Sequence, residues 1–149
     1  MVALIFLLLL LGTAQAIDCP LLKVRFEALK EDMIYEELMY EAERLIEEGC
    51  SKGNLKAMRS AEKVVQAIEN IKFSEALGEE RVVAGKRLRR AGELLNETKK
   101  HADKNRTFYA YQLLFFQVAR ENFRVKDYNY ALRYALASYN LGRALIELR

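Results

Sequence analysis

The chain has 149 residues, a length suited to one domain with its own hydrophobic core. Its 24 basic and 21 acidic side chains leave a formal net charge of +3. This excess is too small to indicate a nucleic-acid-binding protein, so we expect no nucleic acid among its partners.

The first sixteen residues are typical of a secretory signal peptide. The unbroken apolar run Val2–Leu11 is followed by a small-residue cleavage site, Ala14-Gln15-Ala16. We therefore expect residues 1–16 to be removed, and residues 17–149 to form a single helical domain that is secreted or held at the extracytoplasmic cell surface. Because no lysine or arginine precedes the run, the alternative is a membrane-anchored accessory subunit that keeps residues 2–17 as its anchor.

The remainder of the chain predicts an all-α fold after the signal peptide. Long windows have helical periodicity, and none has the sustained alternation of a strand. We expect about five antiparallel helices that form a bundle or a short solenoid. The first two helices cover about 21–48 and 54–72, and the last two cover about 108–124 and 128–149. The third lies between an irregular stretch at 74–78 and a polar turn at 103–105.

The predicted first helix, Leu21–Glu48, separates the two cysteines of the chain. It contains no glycine or proline, although its apolar stripe shifts in phase between Met33 and Leu38. A straight helix over this range is about 42 Å long, whereas the Cα atoms of a disulfide lie within about 7 Å. We therefore expect Cys19 and Cys50 not to pair within one chain, and either to pair between chains or to stay as free thiols.

The last two helices resemble a tetratricopeptide repeat. That family places a large aromatic residue, Leu-Gly and Tyr on its first helix and Ala, aromatic and Ala on its second. The matching residues are Phe115-x-x-Val118-Ala119-x-x-Asn122, the turn Lys126-Asp127-Tyr128, and Ala131-x-x-x-Ala135-x-x-Ser138. The match covers about residues 115–148 of a C-terminal hairpin at about 107–149, with Asn122 in place of the tyrosine and Ala135 in place of the aromatic residue. The resemblance implies protein or peptide binding; the alternative is an unrelated helix pair with the same close packing.

A stripe of apolar residues on the last helix is a candidate interface. It consists of Tyr130, Tyr134, Leu141 and Leu148, and the chain has no later helix to cover it. Tyrosine and leucine are common in interfaces, so this stripe favours a protein partner or a homo-oligomer. The alternative is that the last helix is wedged between two helices of its own bundle.

Two surface features are predicted on and after the third helix. The basic cluster Lys86-Arg87-x-Arg89-Arg90 suits an acidic partner or association with a membrane surface, or else a solvated helix face. The triplets Asn96-Glu97-Thr98 and Asn105-Arg106-Thr107 are candidate N-glycosylation sites, which would place Asn96 and Asn105 on the surface of an exported protein.

Catalytic motifs are absent from the sequence. His101 is the only histidine, which excludes a bundle with two Glu-x-x-His metal ligand pairs. The sequence contains no G-x-S-x-G nucleophile motif and no glycine-rich phosphate loop. We expect no catalytic, cofactor-binding or metal-binding residues and no cofactor. The remaining alternative is a small-ligand-binding or enzymatic bundle that uses the aromatic-rich space between the last two helices.

Overall fold

The computed structural model describes residues 18–32, 34–73 and 80–149, and within them every regular element is a helix. The elements are α1 (Cys19–Lys30), α2 (Glu36–Lys52), α3 (Leu55–Phe73), α4 (Glu80–Thr98), a 3-10 helix (Lys99–Lys104), α5 (Arg106–Arg124) and α6 (Tyr128–Glu147). The prediction of an all-α fold is confirmed. None of the described helices is both long and apolar enough to cross a membrane. The predicted signal peptide and the irregular stretch at 74–78 lie outside the described residues.

The prediction of one long helix over Leu21–Glu48 is wrong, because the structure divides this segment into α1 and α2. Asp18 caps α1 by accepting a hydrogen bond from the Leu21 amide at 3.2 Å. Tyr35 precedes α2 with φ at +61°, in the left-handed region that few side chains adopt. The chain folds back between the two helices, so the apolar faces on either side of the phase shift enter the same core.

The prediction that Cys19 and Cys50 do not pair is also wrong. The two residues form a disulfide, with their Cα atoms 6.0 Å apart. Because α1 and α2 form an antiparallel hairpin, the start of α1 lies beside the last turn of α2. The large separation expected from the sequence applied to a straight helix, and that helix does not exist.

The last helix, α6, lies at the centre of the fold. It packs against α3, α4 and α5, while α1 and α2 cover α3 at one edge. Its buried residues therefore point in several directions: Ala131, Leu132, Ala135, Ala137, Ser138, Asn140, Leu141, Gly142, Ala144 and Leu145. The alternative prediction, in which the last helix is wedged among helices of its own bundle, describes this arrangement.

Small residues bring α5 and α6 close together. Ala119, Ala131, Ala135 and Ser138 are all fully buried, and the Ser138 hydroxyl donates to the Gln112 carbonyl oxygen at 2.8 Å. Short side chains at these positions let the two backbones approach closely. The tetratricopeptide resemblance rests on the same residues and stays a prediction.

Gly49 allows α2 to cross close to the start of α3. A Cβ atom at Gly49 would lie 2.8 Å from the backbone nitrogen of Met58, so one helix would have to move. We expect Gly49→Ala to lower the free energy of unfolding by about 1–3 kcal/mol through overpacking. The control is Gly85→Ala in α4, where the new Cβ would meet only the Phe123 ring at 3.6 Å.

The control substitution is expected to stabilise the protein by up to about 1 kcal/mol, because alanine has the higher helix propensity. Urea unfolding followed by far-ultraviolet circular dichroism measures both variants. Shifts of the same sign and size at Gly49 and Gly85 would contradict the close approach of α2 and α3.

Candidate functional site

A groove of about 590 Å³ runs between α1 and α2, beside the start of α5. Its base is apolar, since Phe26 and Met39 line it and are only 3% and 5% exposed. Tyr40 lines the same groove but is 68% exposed, so its ring stands at the lip. The groove therefore has an apolar base of small exposed area and one largely exposed aromatic ring at its lip.

Carboxylates surround this apolar base. Glu36, Glu37, Glu41 and Glu43 line the groove, and among the described lining residues the one cation is Lys30. The Lys30 ammonium lies 3.2 Å from a Glu43 oxygen, which offsets one of the four carboxylates. Four negative charges and one positive charge leave a formal charge of −3 on the lining.

The local structure explains why these carboxylates are tolerated together. Glu36 and Glu37 stand in the first turn of α2, where the helix dipole favours negative charge. Glu37 also accepts a hydrogen bond from the Tyr111 hydroxyl. A Glu41 carboxylate oxygen lies 2.8 Å from the guanidinium group of Arg44, which does not line the groove. The repulsion among the carboxylates is thus reduced without filling the groove.

A smaller hollow of about 200 Å³ continues the groove along the hairpin toward the disulfide. The two hollows share Phe26 and Glu43, and the smaller one adds Lys23, Glu27, Ile46, Glu47 and Ser51. We call the two hollows together the α1–α2 groove. It is an elongated feature with an apolar base and an acidic rim, which suits an elongated cationic occupant.

Both ends of the α1–α2 groove are held in place. The disulfide Cys19–Cys50 joins the helices at one end. At the other end the Tyr35 ring makes edge contacts with Phe115 and Tyr111, at centroid distances of 5.0 and 5.6 Å. The Tyr35 and Tyr134 hydroxyls lie 2.8 Å apart, and this bond links the turn to α6. A groove fixed in this way loses little entropy when it binds a partner.

Two tyrosines of this aromatic cluster have raised pKa values. Burial and the hydrogen bond to Glu37 raise the pKa of Tyr111 to about 12. Burial and the Tyr134 hydroxyl raise the pKa of Tyr35 as well. Each phenol holds its proton more tightly in the folded chain than in the unfolded chain, where the pKa is about 10.

We therefore expect the free energy of unfolding to fall as the pH rises from about 10 to about 12, while below pH 10 these tyrosines cause no change. Tyr111→Phe should make this alkaline loss shallower, because one of the two phenols is gone. The matched control is Tyr40→Phe, at an exposed tyrosine outside this aromatic cluster. Urea unfolding across this pH range measures the slopes; equal slopes for wild type and Tyr111→Phe would contradict the role of Tyr111.

A basic surface lies on a different edge of the molecule. Lys86, Arg87, Arg89 and Arg90 of α4 are exposed, and with Val83 they line a shallow hollow of about 430 Å³. We call these four side chains the α4 basic face. Within the described part of the chain none of them forms an ion pair. Helix α4 packs on α5 and α6 and makes no contact with α2, so this face and the acidic groove are separate surfaces.

The predicted interface stripe on the last helix is not an open surface, which corrects that interpretation. Leu141 is fully buried in the core, and Leu148 packs partly buried against it. Tyr134 is half-buried, with its ring 5.6 Å from that of Phe115. Only Tyr130 is exposed, at 48%. Three of the four residues are covered because α6 is central.

The two predicted glycosylation sites have different environments. Asn96 is exposed in the last turn of α4. Asn105 is 9% exposed and caps α5, its side-chain oxygen accepting from the Phe108 amide at 3.1 Å. Its amide nitrogen, the atom that would carry a glycan, donates to Glu41 at 3.1 Å. The expectation that Asn105 lies open on the surface is therefore wrong, whereas Asn96 is accessible.

The residues considered for a metal site and for a ligand-binding bundle have the following surroundings. Among residues 18–32, 34–73 and 80–149, no group of three His, Cys, Asp or Glu side chains is arranged to hold a metal ion. His101 lies half-buried in the 3-10 helix. The aromatic residues between α5 and α6 pack on one another: Phe115 is fully buried and contacts the Tyr134 ring edge-on.

The sequence interpretation missed the α1–α2 groove because it treated α1 and α2 as one helix, which has no groove of its own. The available signal was the shift in phase of the apolar stripe between Met33 and Leu38. Glutamates that look like one solvated face of a long helix are instead brought to the rim of a groove. Comparison of the chain with protein-family models, curated proteins and solved structures finds no match.

Proposed function

We propose that this is an exported or cell-surface helical module that binds a protein, either a partner or another copy of itself, and that it performs no catalysis. The observation that carries this proposal is the α1–α2 groove, in which apolar Phe26 and Met39 lie beneath a carboxylate rim. Burial of an apolar side chain on this base contributes roughly 25 cal/mol per Å². The carboxylates favour a cationic partner, so the chemistry suits a basic amphipathic segment.

Export is part of this proposal, and two features support it. The first is the apolar run with its small-residue site in residues 1–16. The second is the Cys19–Cys50 disulfide, because such bonds persist mainly in oxidising compartments. Intact-mass measurement on protein from its native host tests export. A chain that begins near Ile17 supports it, and a chain that keeps residues 2–17 favours the membrane-anchored accessory subunit.

Calorimetric titration with a designed helical peptide, leucine on one face and lysine on the other, tests the groove. The groove variant carries Glu36→Lys and Glu43→Lys, which reverse two exposed rim charges. The control variant carries Asp103→Lys and Glu121→Lys, two exposed acidic residues outside the groove lining. Both variants change the net charge by the same amount.

The groove variant should bind the peptide at least about tenfold more weakly than wild type, which corresponds to about 1.4 kcal/mol. The control variant should bind as wild type does. If the wild-type chain binds no peptide, or if both variants weaken binding equally, the proposed binding surface is wrong.

The size of the groove also favours a second candidate function, the binding of a small cationic amphiphile. Its main hollow of about 590 Å³ lies within the range of small-molecule sites, about 300–1,000 Å³. An alkylamine with one ammonium group would place its chain on Phe26 and its charge at the rim. Saturable binding of such an amine together with no binding of the amphipathic peptide would select this function.

A further inference from the structure

We infer that the occupant of the α1–α2 groove is the α4 basic face of a second copy of this chain, so that the copies associate head to tail. This inference rests on the proposed function and names its partner. Carboxylates outnumber the lysines on the groove lining, and Lys86, Arg87, Arg89 and Arg90 lack ion-pair partners among the described residues.

The two surfaces are complementary in charge and in apolar character. The main hollow carries a formal charge of −3 on its lining, and the basic face carries four positive side chains. Beside the basic face Val82 is 48% exposed, which gives α4 an apolar group to place against Phe26 and Met39. At the lip the exposed Tyr40 ring is suited to an arginine, since guanidinium groups stack favourably on tyrosine.

The fold prevents these charges from meeting within one chain. Helix α2 packs against α1, α3 and α5, and α4 packs against α5 and α6, so the two helices do not touch. Each copy therefore offers one acidic groove and one basic face on separate edges. A contact between unlike surfaces is heterologous and produces open chains of molecules or closed rings.

The association should be weak and strongly dependent on salt. The contact involves a single helix face and one groove, whereas a stable interface buries about 1,600 Å² in total and about 20–30 residues on each side. Much of the attraction is between charges at the surface, and salt screens these within about 10 Å at 0.1 M. We expect reversible assembly at low salt and high protein concentration, and monomers at high salt.

Sedimentation velocity tests this contact by comparing the wild-type chain without residues 1–16 with charge-reversal variants of the same chain. The groove variant carries Glu36→Lys and Glu43→Lys, and the face variant carries Arg87→Glu and Arg90→Glu. Each variant alone should stay monomeric under conditions in which wild type assembles. An equimolar mixture of the two should form one-to-one pairs, because the unchanged basic face of the groove variant then meets the unchanged acidic groove of the face variant. Circular dichroism establishes that each variant is folded, and Asp103→Lys with Glu121→Lys should assemble as wild type does.

The outcomes separate this inference from the proposed function. If wild type stays monomeric at low salt but its groove binds the lysine–leucine peptide, the occupant is a foreign basic segment and only the inference fails. If neither self-association nor peptide binding occurs, both fail. Assembly of the face variant at wild-type strength overturns the inference. The inference is also overturned if the chain stays monomeric and binds phosphatidylserine-containing vesicles through the basic face. That result would assign the face to membranes.

Discussion

Replacing Leu141 with glutamate is expected to abolish the folded state. Leu141 is fully buried in α6, the helix that packs against α3, α4 and α5. The substitution removes a large apolar side chain from the core, which costs about 2–5 kcal/mol. It also places an unpaired charge there, at a further cost of several kcal/mol. The sum is comparable with the total stability of a domain, about 5–15 kcal/mol.

The control is Tyr130→Glu, on the same helix and in the same predicted stripe. Tyr130 is 48% exposed, and the Arg133 guanidinium carbon lies 5.5 Å from its ring centroid, so the new carboxylate stays in water beside a cation. This variant should keep the wild-type circular dichroism spectrum and unfold within a few degrees of wild type. A Leu141→Glu variant that stays folded but no longer self-associates would contradict the central position of α6. It would support the interpretation of the stripe as an interface.

Helices whose ends are determined by nearby residues could be predicted from the sequence. The amphipathic periodicity of α3 and α5 indicates their extents to within a few residues, because each of these two helices buries one continuous face. Asn54 and Asn105 have side chains that accept hydrogen bonds from the first turns of α3 and α5. Such caps depend on neighbours three residues away and can therefore be read from the sequence alone.

The break between α1 and α2 could not be predicted with the same means. Its centre is Tyr35, whose left-handed conformation costs of the order of 1–3 kcal/mol. That cost is offset by contacts with Tyr111, Phe115 and Tyr134, residues far away in the chain. A sequence window around Tyr35 contains none of them. The phase shift before Leu38 indicates only that one straight helix cannot bury both stripes.

The two surfaces of the candidate site also differ in how far they could be predicted, because one has a local cause and the other depends on distant contacts. The four charges of the α4 basic face lie on a single helix, so their clustering was visible in the sequence. The α1–α2 groove exists only because α1 folds back on α2, and its acidic rim was interpreted as a solvated face. The separation of the two surfaces follows from the central position of α6, which depends on packing among four helices.

Removal of the disulfide is expected to have the second large effect. The bond joins residues separated by 31 positions, so its loss frees a loop of that length in the unfolded chain. The chain-entropy estimate for such a loop is about 3–4 kcal/mol of stability. The double variant Cys19→Ser, Cys50→Ser should therefore unfold roughly 10 °C below wild type. Hydrogen exchange should rise most in α1, whose remaining contacts with described helices are those with α2 and α3.

The disulfide also connects stability to the proposed binding surface, because it holds one end of the α1–α2 groove. When α1 frays, Phe26 leaves the base of the groove, and the lysine–leucine peptide should bind more weakly to the double variant. A reducing agent added to wild type should reproduce both effects, and the same agent added to the double variant should change neither. If both thiols of the folded wild-type chain react with an alkylating reagent before reduction, the pairing itself is wrong. If they are paired but reduction leaves the unfolding temperature unchanged, the expected entropy gain of the unfolded loop is contradicted.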